Sequence, residues 1–99
     1  MTSTPKPTTL PQFRARFELV SNWVDSGHRA QVQVTRCREM GRALEVMETM
    51  PAGTHAGYER AFIYHWEQVR RAMFRDGWGE SIRALEETER TTLKEATTL

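Results

Sequence analysis

Apolar side chains recur at steps of three and four residues between about Thr54 and Asp76, and this periodicity constrains the fold more than any other feature. At about 100° per residue, such spacing gathers the apolar side chains on one side of an α-helix. Polar side chains occupy the opposite side, so we expect an amphipathic helix that ends at Asp76-Gly77. The residues predicted for its buried face are Tyr58, Ala61, Phe62, His65, Trp66, Val69, Ala72 and Met73.

The segment before Gly27 has a similar periodicity. Thr9 followed by Gln12 is the pattern of a capping box, and Pro11 is tolerated in a first helical turn. We expect a first helix that begins after Thr9 and stops at Gly27, because glycine accepts the left-handed backbone of a helix C-cap. Its apolar stripe is formed by Leu10, Phe13, Phe17, Val20 and Val24.

The next segment, from about His28 to Thr49, predicts a helix that is apolar on two sides. A helix of this kind needs two neighbours, so we expect it to be the central helix of a bundle or to meet a second subunit. Pro51 ends it. One side carries Ala30, Val34, Cys37, Met40, Gly41, Leu44 and Met47; the other, a predicted dimer or second-contact face, carries Val32, Ala43, Val46 and Met50.

A fourth helix is expected after Trp78-Gly79, with an apolar stripe that Glu89 interrupts. The glutamates of this segment favour the positive end of a helix dipole. We expect the carboxylates of Glu86, Glu87 and Glu89 to lie on a solvated surface. The stripe itself consists of Trp78, Ile82, Leu85, Leu93 and Ala96.

These segments predict an all-α protein, a small antiparallel bundle of about four helices over residues 9–96 with a flexible N-terminal leader over residues 1–8. A chain of 99 residues has room for one modest core. An α+β fold is the alternative, with an N-terminal β-hairpin over residues 13–34 followed by helices. It rests on two alternating segments with a turn at Asp25-Ser26-Gly27-His28 between them, but the alternation breaks at Val20 and Val24. The alternating residues are Phe13, Ala15, Phe17 and Leu19 in the first segment and Ala30, Val32 and Val34 in the second.

Composition indicates a soluble, cytoplasmic protein. Fourteen basic and thirteen acidic residues leave a net charge of +1, and the single cysteine, Cys37, allows no intramolecular disulfide. Small secreted domains usually depend on disulfides, which favours a reducing compartment. We see no signal peptide in the first residues and no apolar run long enough to span a membrane, so we expect no membrane partner.

The sequence lacks a recognisable catalytic constellation, so we expect no enzymatic activity, no cofactor and no metal. The metal-ligand candidates His28, Cys37, His55 and His65 include no pair at the i, i+4 spacing of a helical metal site. Cys37 and His65 with Glu67 would be a nucleophile and base, but Cys37 is predicted to face the core. Asp76-Gly77-Trp78-Gly79 lacks the third glycine of a dinucleotide-binding loop.

Arginines on the polar side of the third predicted helix are a candidate nucleic-acid interface. Arg60, Arg71 and Arg75 share this side with Tyr64, and Arg70 flanks them. The window from Arg60 to Arg75 carries a local charge of +3, which would give salt-dependent contacts with phosphates. The competing interpretation is a solvated face whose arginines pair with the acidic fourth segment.

We therefore expect a non-enzymatic protein-binding module, acting as a regulator, inhibitor or adaptor of a larger protein assembly. Trp and Arg are enriched at interface hot spots, and the chain has three tryptophans. The partner of unknown identity would be bound by Arg60, Tyr64, Arg71, Arg75 and Trp78, and a homodimer would form through the second-contact face. A small DNA- or RNA-binding regulator that uses the arginine-rich face is the alternative.

Overall fold

Four α-helices follow one another in a computed structural model that describes the backbone of residues 6–98 and the side chains of residues 6–92. They are α1 (Leu10–Asp25), α2 (Gln31–Thr49), α3 (Ala56–Arg75) and α4 (Gly79–Thr98), with a 3₁₀ turn at Ala52–Thr54. The all-α prediction is confirmed. The alternative hairpin over residues 13–34 is wrong, because α1 and the start of α2 occupy this stretch. Leu93 and Ala96 were predicted in the apolar stripe of the fourth helix, but their side chains lie outside the part that the structure describes.

The start of α1 follows the predicted capping box. The Thr9 hydroxyl accepts a hydrogen bond from the Gln12 backbone N–H at 3.4 Å, and the Gln12 Oε1 accepts one from the Thr9 N–H at 3.2 Å. Thr8 also donates to this oxygen through its backbone N–H and its hydroxyl. The end of the predicted leader thus joins the helix cap, while residues 1–5 lie outside the described part of the chain.

The glycine that ends a helix in the left-handed conformation is Gly77, with φ of 89°. Its turn joins α3 to α4, where the Trp78 N–H bonds to the Met73 carbonyl at 2.9 Å. Gly27 lies in the turn after α1, as expected, but does not have a positive φ, and Ser26 is the C-cap. At this end of α1, the backbone carbonyl of Trp23 accepts a hydrogen bond from the Arg29 side chain at 3.0 Å.

The core lies where α1, α2 and α3 meet. The Phe13 and Phe62 rings contact edge to face with centroids 5.0 Å apart, and α1 approaches α2 at Gly41, where an added Cβ would lie 3.0 Å from the Phe17 ring. Burial of each large side chain contributes about 1.5–3 kcal/mol. The buried apolar residues are Phe13, Val20, Trp23, Cys37, Met40, Ala43, Leu44, Met47, Phe62, Trp66, Val69, Ala72, Met73 and Ile82.

Two glutamates that were expected on a solvated surface attach α4 to the other helices. Glu86 and Glu89 are 3% and 6% exposed, and only Glu87 of the three is exposed. The Glu89 carboxylate accepts bonds from Arg16 at 3.0 and 2.6 Å. Glu86 accepts bonds from Arg70 at 3.0 and 3.1 Å. The prediction was wrong because a buried carboxylate is stable when a buried or half-buried guanidinium neutralises it.

Candidate functional site

The predicted partner-binding residues of α3 lie on the side of the helix that faces solvent. Arg60, Tyr64, Glu67, Arg71 and Arg75 follow one another at steps of three and four, and all are exposed. We call this row the outer stripe of α3. It runs for about 22 Å at 1.5 Å per residue. Tyr64 is 60% exposed, the largest exposed fraction among the exposed large apolar side chains.

Three arginines of the outer stripe are available to an external ligand. Within the part of the chain that the structure describes, Arg60, Arg71 and Arg75 form no ion pair or hydrogen bond through their side chains. Arg70 differs, because it is bonded to Glu86 and its guanidinium lies 4.8 Å from the centre of the Phe74 ring. The expected pairing with the acidic fourth segment therefore occurs for Arg70, and the outer stripe keeps its positive charge.

Trp78 is a less accessible partner residue than Tyr64. It is half-buried and packs against the core from the turn between α3 and α4. Its backbone N–H bond to Met73 helps to fix this turn. The arrangement gives Trp78 a structural role at the end of the bundle, where it covers part of the core.

The predicted second-contact face of α2 is divided by the packing of the helices. Val32 and Met50 are 51% and 50% exposed, and Val46 is half-buried. Ala43, by contrast, is only 4% exposed and belongs to the core, so its assignment to an external contact was wrong. The small Ala43 side chain lies at the junction with α3, where two helices can approach closely.

A groove of about 290 Å³ follows this junction between α2 and α3. Tyr58, Ala61 and His65 line it, although all three were expected in the buried face of α3. Tyr58 and Ala61 are exposed and His65 is half-buried, because the apolar stripe of α3 is wider than the core that it covers. The remaining lining residues are Glu39, Arg42, Ala43 and Val46.

His65, which lines this groove, also has a ring nitrogen without a described hydrogen-bond partner. Its Nδ1 is buried and has no hydrogen-bond partner among the described residues, while the ring contacts Tyr64 edge to face at 5.4 Å. A buried polar atom without a partner costs free energy. His55 differs, since its Nε2 is 2.8 Å from the Met50 carbonyl oxygen and stabilises the turn after α2.

Cys37 is placed among core residues, as predicted. Its sulfur is 3.7 Å from the Ser21 hydroxyl on α1, and burial raises the pKa of the thiol. Glu67 lies on the outer stripe of α3, so the structure does not assemble Cys37, His65 and Glu67 into one site. Over the described residues, no three His, Cys, Asp or Glu side chains are grouped to hold a metal ion.

A second groove, of about 560 Å³, lies between α1 and α4 and was not predicted. Its polar side chains already form hydrogen bonds within the chain. Gln12 belongs to the helix cap and Glu89 to the ion pair with Arg16. The groove is lined by Thr9, Pro11, Gln12, Ala15, Leu85, Thr88, Glu89 and Thr92.

Most of the exposed large apolar side chains belong to α2, α3 and the turn between them. They are Val32, Met50, Tyr58 and Tyr64, and the fifth described one, Leu10, is on α1. We call this surface the α2–α3 face: the groove, the outer stripe of α3, Val32 and Met50. The sequence indicated the exposed residues of α2 and those of α3 separately. It did not indicate that the packing of the two helices makes these residues neighbours.

Comparison of the chain with protein-family models, curated proteins and solved structures finds no significant match. Across the described residues, no helix combines the length and apolar character needed to cross a membrane.

Proposed function

We propose that this chain is a small non-enzymatic protein-binding module, a regulator, inhibitor or adaptor of a larger assembly, that docks its partner on the α2–α3 face. The observation that carries the proposal is that four of the five described exposed large apolar side chains belong to α2, α3 and the turn between them. Single exposed apolar residues are ordinary, whereas a group of them rimmed by polar residues is typical of interaction sites.

The chemistry of the face supports a protein partner. Tyr58 and Tyr64 supply rigid amphipathic area, and Met50 can adapt its shape to a partner. Arginine is enriched at protein interfaces, and Arg60 and Arg71 are exposed beside this apolar area. The single cysteine allows no intramolecular disulfide, on which small secreted domains usually depend, so we propose the reducing cytoplasm as the site of action.

The proposal is tested by affinity capture from host lysate with a pair of matched variants. Tyr64→Ala combined with Arg71→Glu alters the α2–α3 face. Arg38→Glu removes another exposed arginine, on a different side of α2. A captured protein supports the proposal if it binds the unaltered chain and Arg38→Glu, does not bind the double variant, and remains bound after nuclease treatment. If every captured protein is retained by the double variant, the proposed docking surface is wrong.

A second candidate function is binding of DNA or RNA along the outer stripe of α3. The observation that favours it is the row of three arginines that form no ion pair with a described residue. Such binding would fall steeply with salt concentration, since each neutralised phosphate releases counterions. Glu67 within the stripe and the exposed tyrosines favour a protein. A 20-base-pair duplex that binds at 50 mM salt, and is released by Arg71→Glu but not by Tyr58→Ala, would support the nucleic-acid function.

A second copy of the chain is a further partner for Val32, Val46 and Met50. Light scattering at high micromolar concentration measures this directly. A dimeric mass that Met50→Glu converts to a monomer would support it, and a monomeric mass of the unaltered chain excludes it.

A further inference from the structure

We infer that the α2–α3 face binds an acidic amphipathic helix of a partner protein, an inference that rests on the proposed function. The helix would place its apolar side along the groove between α2 and α3. Its carboxylates would meet Arg60, Arg71 and Arg75. The argument comes from the shape of the face and from its charge.

Shape favours a helix as the occupant. The groove lies between two neighbouring helices of 19 and 20 residues, each about 30 Å long at 1.5 Å per residue. Its lining runs from Glu39 to Val46 on α2 and from Tyr58 to His65 on α3, which is about 10 Å, or two helical turns, at 1.5 Å per residue. An amphipathic helix offers apolar side chains at matching intervals, at positions i, i+3, i+4 and i+7.

Charge selects an acidic helix. Arg60, Arg71 and Arg75 have no ion pair with another described residue, and Glu67 is the one acidic member of the outer stripe. Arg42 and Glu39 at the rim of the groove neutralise each other at 2.8 Å. The face therefore retains an excess of positive charge. Guanidinium groups bind carboxylates through paired hydrogen bonds, while a basic helix would be repelled.

The test is selection from a displayed library of 20-residue helical peptides, in which both apolar and polar positions are randomised, against the full chain. We expect selected peptides to carry Asp or Glu beside an apolar stripe. Their affinity, measured by fluorescence anisotropy, should fall at least tenfold with Tyr64→Ala and with Arg60→Glu combined with Arg71→Glu. Arg38→Glu is the matched control and should bind within twofold of the unaltered chain. Far-UV circular dichroism verifies that each variant is folded.

The outcomes separate this inference from the proposed function. Neutral or basic peptides that still depend on Tyr64 would overturn the acidic helix and leave the docking surface in place. Peptides that bind equally to all variants would overturn both. Two results together would overturn the inference and assign the arginines to nucleic acid. A 20-base-pair DNA duplex would release the bound acidic peptide, and Tyr58→Ala would not change peptide binding.

Discussion

Arg16 on α1 and Glu89 on α4 form an ion pair that is almost fully removed from solvent, with side-chain exposures of 1% and 6%. The guanidinium also lies over the Trp66 ring, 4.8 Å from its centre. The pair therefore links three helices at one point. Burial of two charges costs free energy that their attraction offsets only when both partners are present.

Loss of Arg16 alone should destabilise the fold strongly. In Arg16→Met the Glu89 carboxylate keeps its buried position without these hydrogen bonds, which costs about 3–5 kcal/mol. Urea denaturation at pH 7 measures the free energy of unfolding. The double variant Arg16→Met with Glu89→Leu should recover most of this loss, because neither charge remains. Equal instability of the single and double variants would contradict the prediction.

Ile82 should contribute more to stability than any neighbouring apolar residue of α4. It is fully buried, whereas Leu85 is half-buried. Ile82→Ala should lower the free energy of unfolding by about 2–5 kcal/mol, since it leaves a cavity at the junction of α4 with the core. Thermal denaturation followed by circular dichroism gives the comparison, and Leu85→Ala should show the smaller effect.

Gly77→Ala should destabilise the turn between α3 and α4. A residue with a side chain pays about 1–2 kcal/mol in the left-handed conformation that Gly77 adopts at φ of 89°. Gly53→Ala is the matched control, because its φ is not positive and an added Cβ would have no atom within 4 Å. Chemical denaturation of the two variants should separate them by at least about 1 kcal/mol, and equal values would refute the role of the conformation.

Cys37 should react slowly with alkylating reagents. Burial raises the pKa of its thiol, so the reactive thiolate is scarce near neutral pH. At pH 8 iodoacetamide should modify the native chain far more slowly than the chain unfolded in urea. Equal rates would contradict the burial of this side chain.

The same shift in pKa predicts the direction of a stability change with pH. The folded chain holds the thiol proton more tightly than the unfolded chain, because burial raises the pKa. The contribution of Cys37 is therefore fully present well below the ordinary thiol pKa of about 8.5. It decreases as the pH rises through the higher pKa of the folded state. The free energy of unfolding should therefore decrease less between pH 7 and pH 10 in Cys37→Ala than in the unaltered chain. Urea denaturation at the two pH values measures this difference.

Tyr64→Ala should leave the stability almost unchanged. Tyr64 is 60% exposed, and substitutions at exposed positions usually change the free energy of unfolding by less than about 0.5 kcal/mol. Phe62→Ala is the contrasting variant, because its buried ring contacts Phe13 and its removal should cost about 3–5 kcal/mol. A large loss of stability in Tyr64→Ala would show that this ring supports the fold.

Most of the fold was predictable because its helices carry local signals. The capping box of Thr9 and Gln12 marks the start of α1, and the apolar periodicity around Trp66 marks α3. These signals act over three or four residues, which a single sequence displays directly. Ala43 could not be placed in the same way, since periodicity gives the faces of a helix but not where a neighbouring helix crosses it.

The buried charges were not predictable from the same evidence. Arg16 and Glu89 are separated by 73 residues in the sequence, and neither segment indicates its partner. A signal was nevertheless present in each helix. Arg16 lies within the apolar stripe between Phe13 and Val20, and Glu89 interrupts the stripe of α4. Charged residues at apolar positions of two different helices, with opposite sign, are what a buried ion pair requires.

The link between Arg16 and Glu89 also constrains how the sequence can diverge. A change at either position passes through a form with one uncompensated charge, and a loss of several kcal/mol would remove most of the stability of a small domain. Divergent descendants of this chain should therefore keep both charges, exchange their signs, or replace both with apolar residues. Positions 16 and 89 should covary, and a helix resembling α4 should pair only with a first helix that carries the opposite charge at position 16.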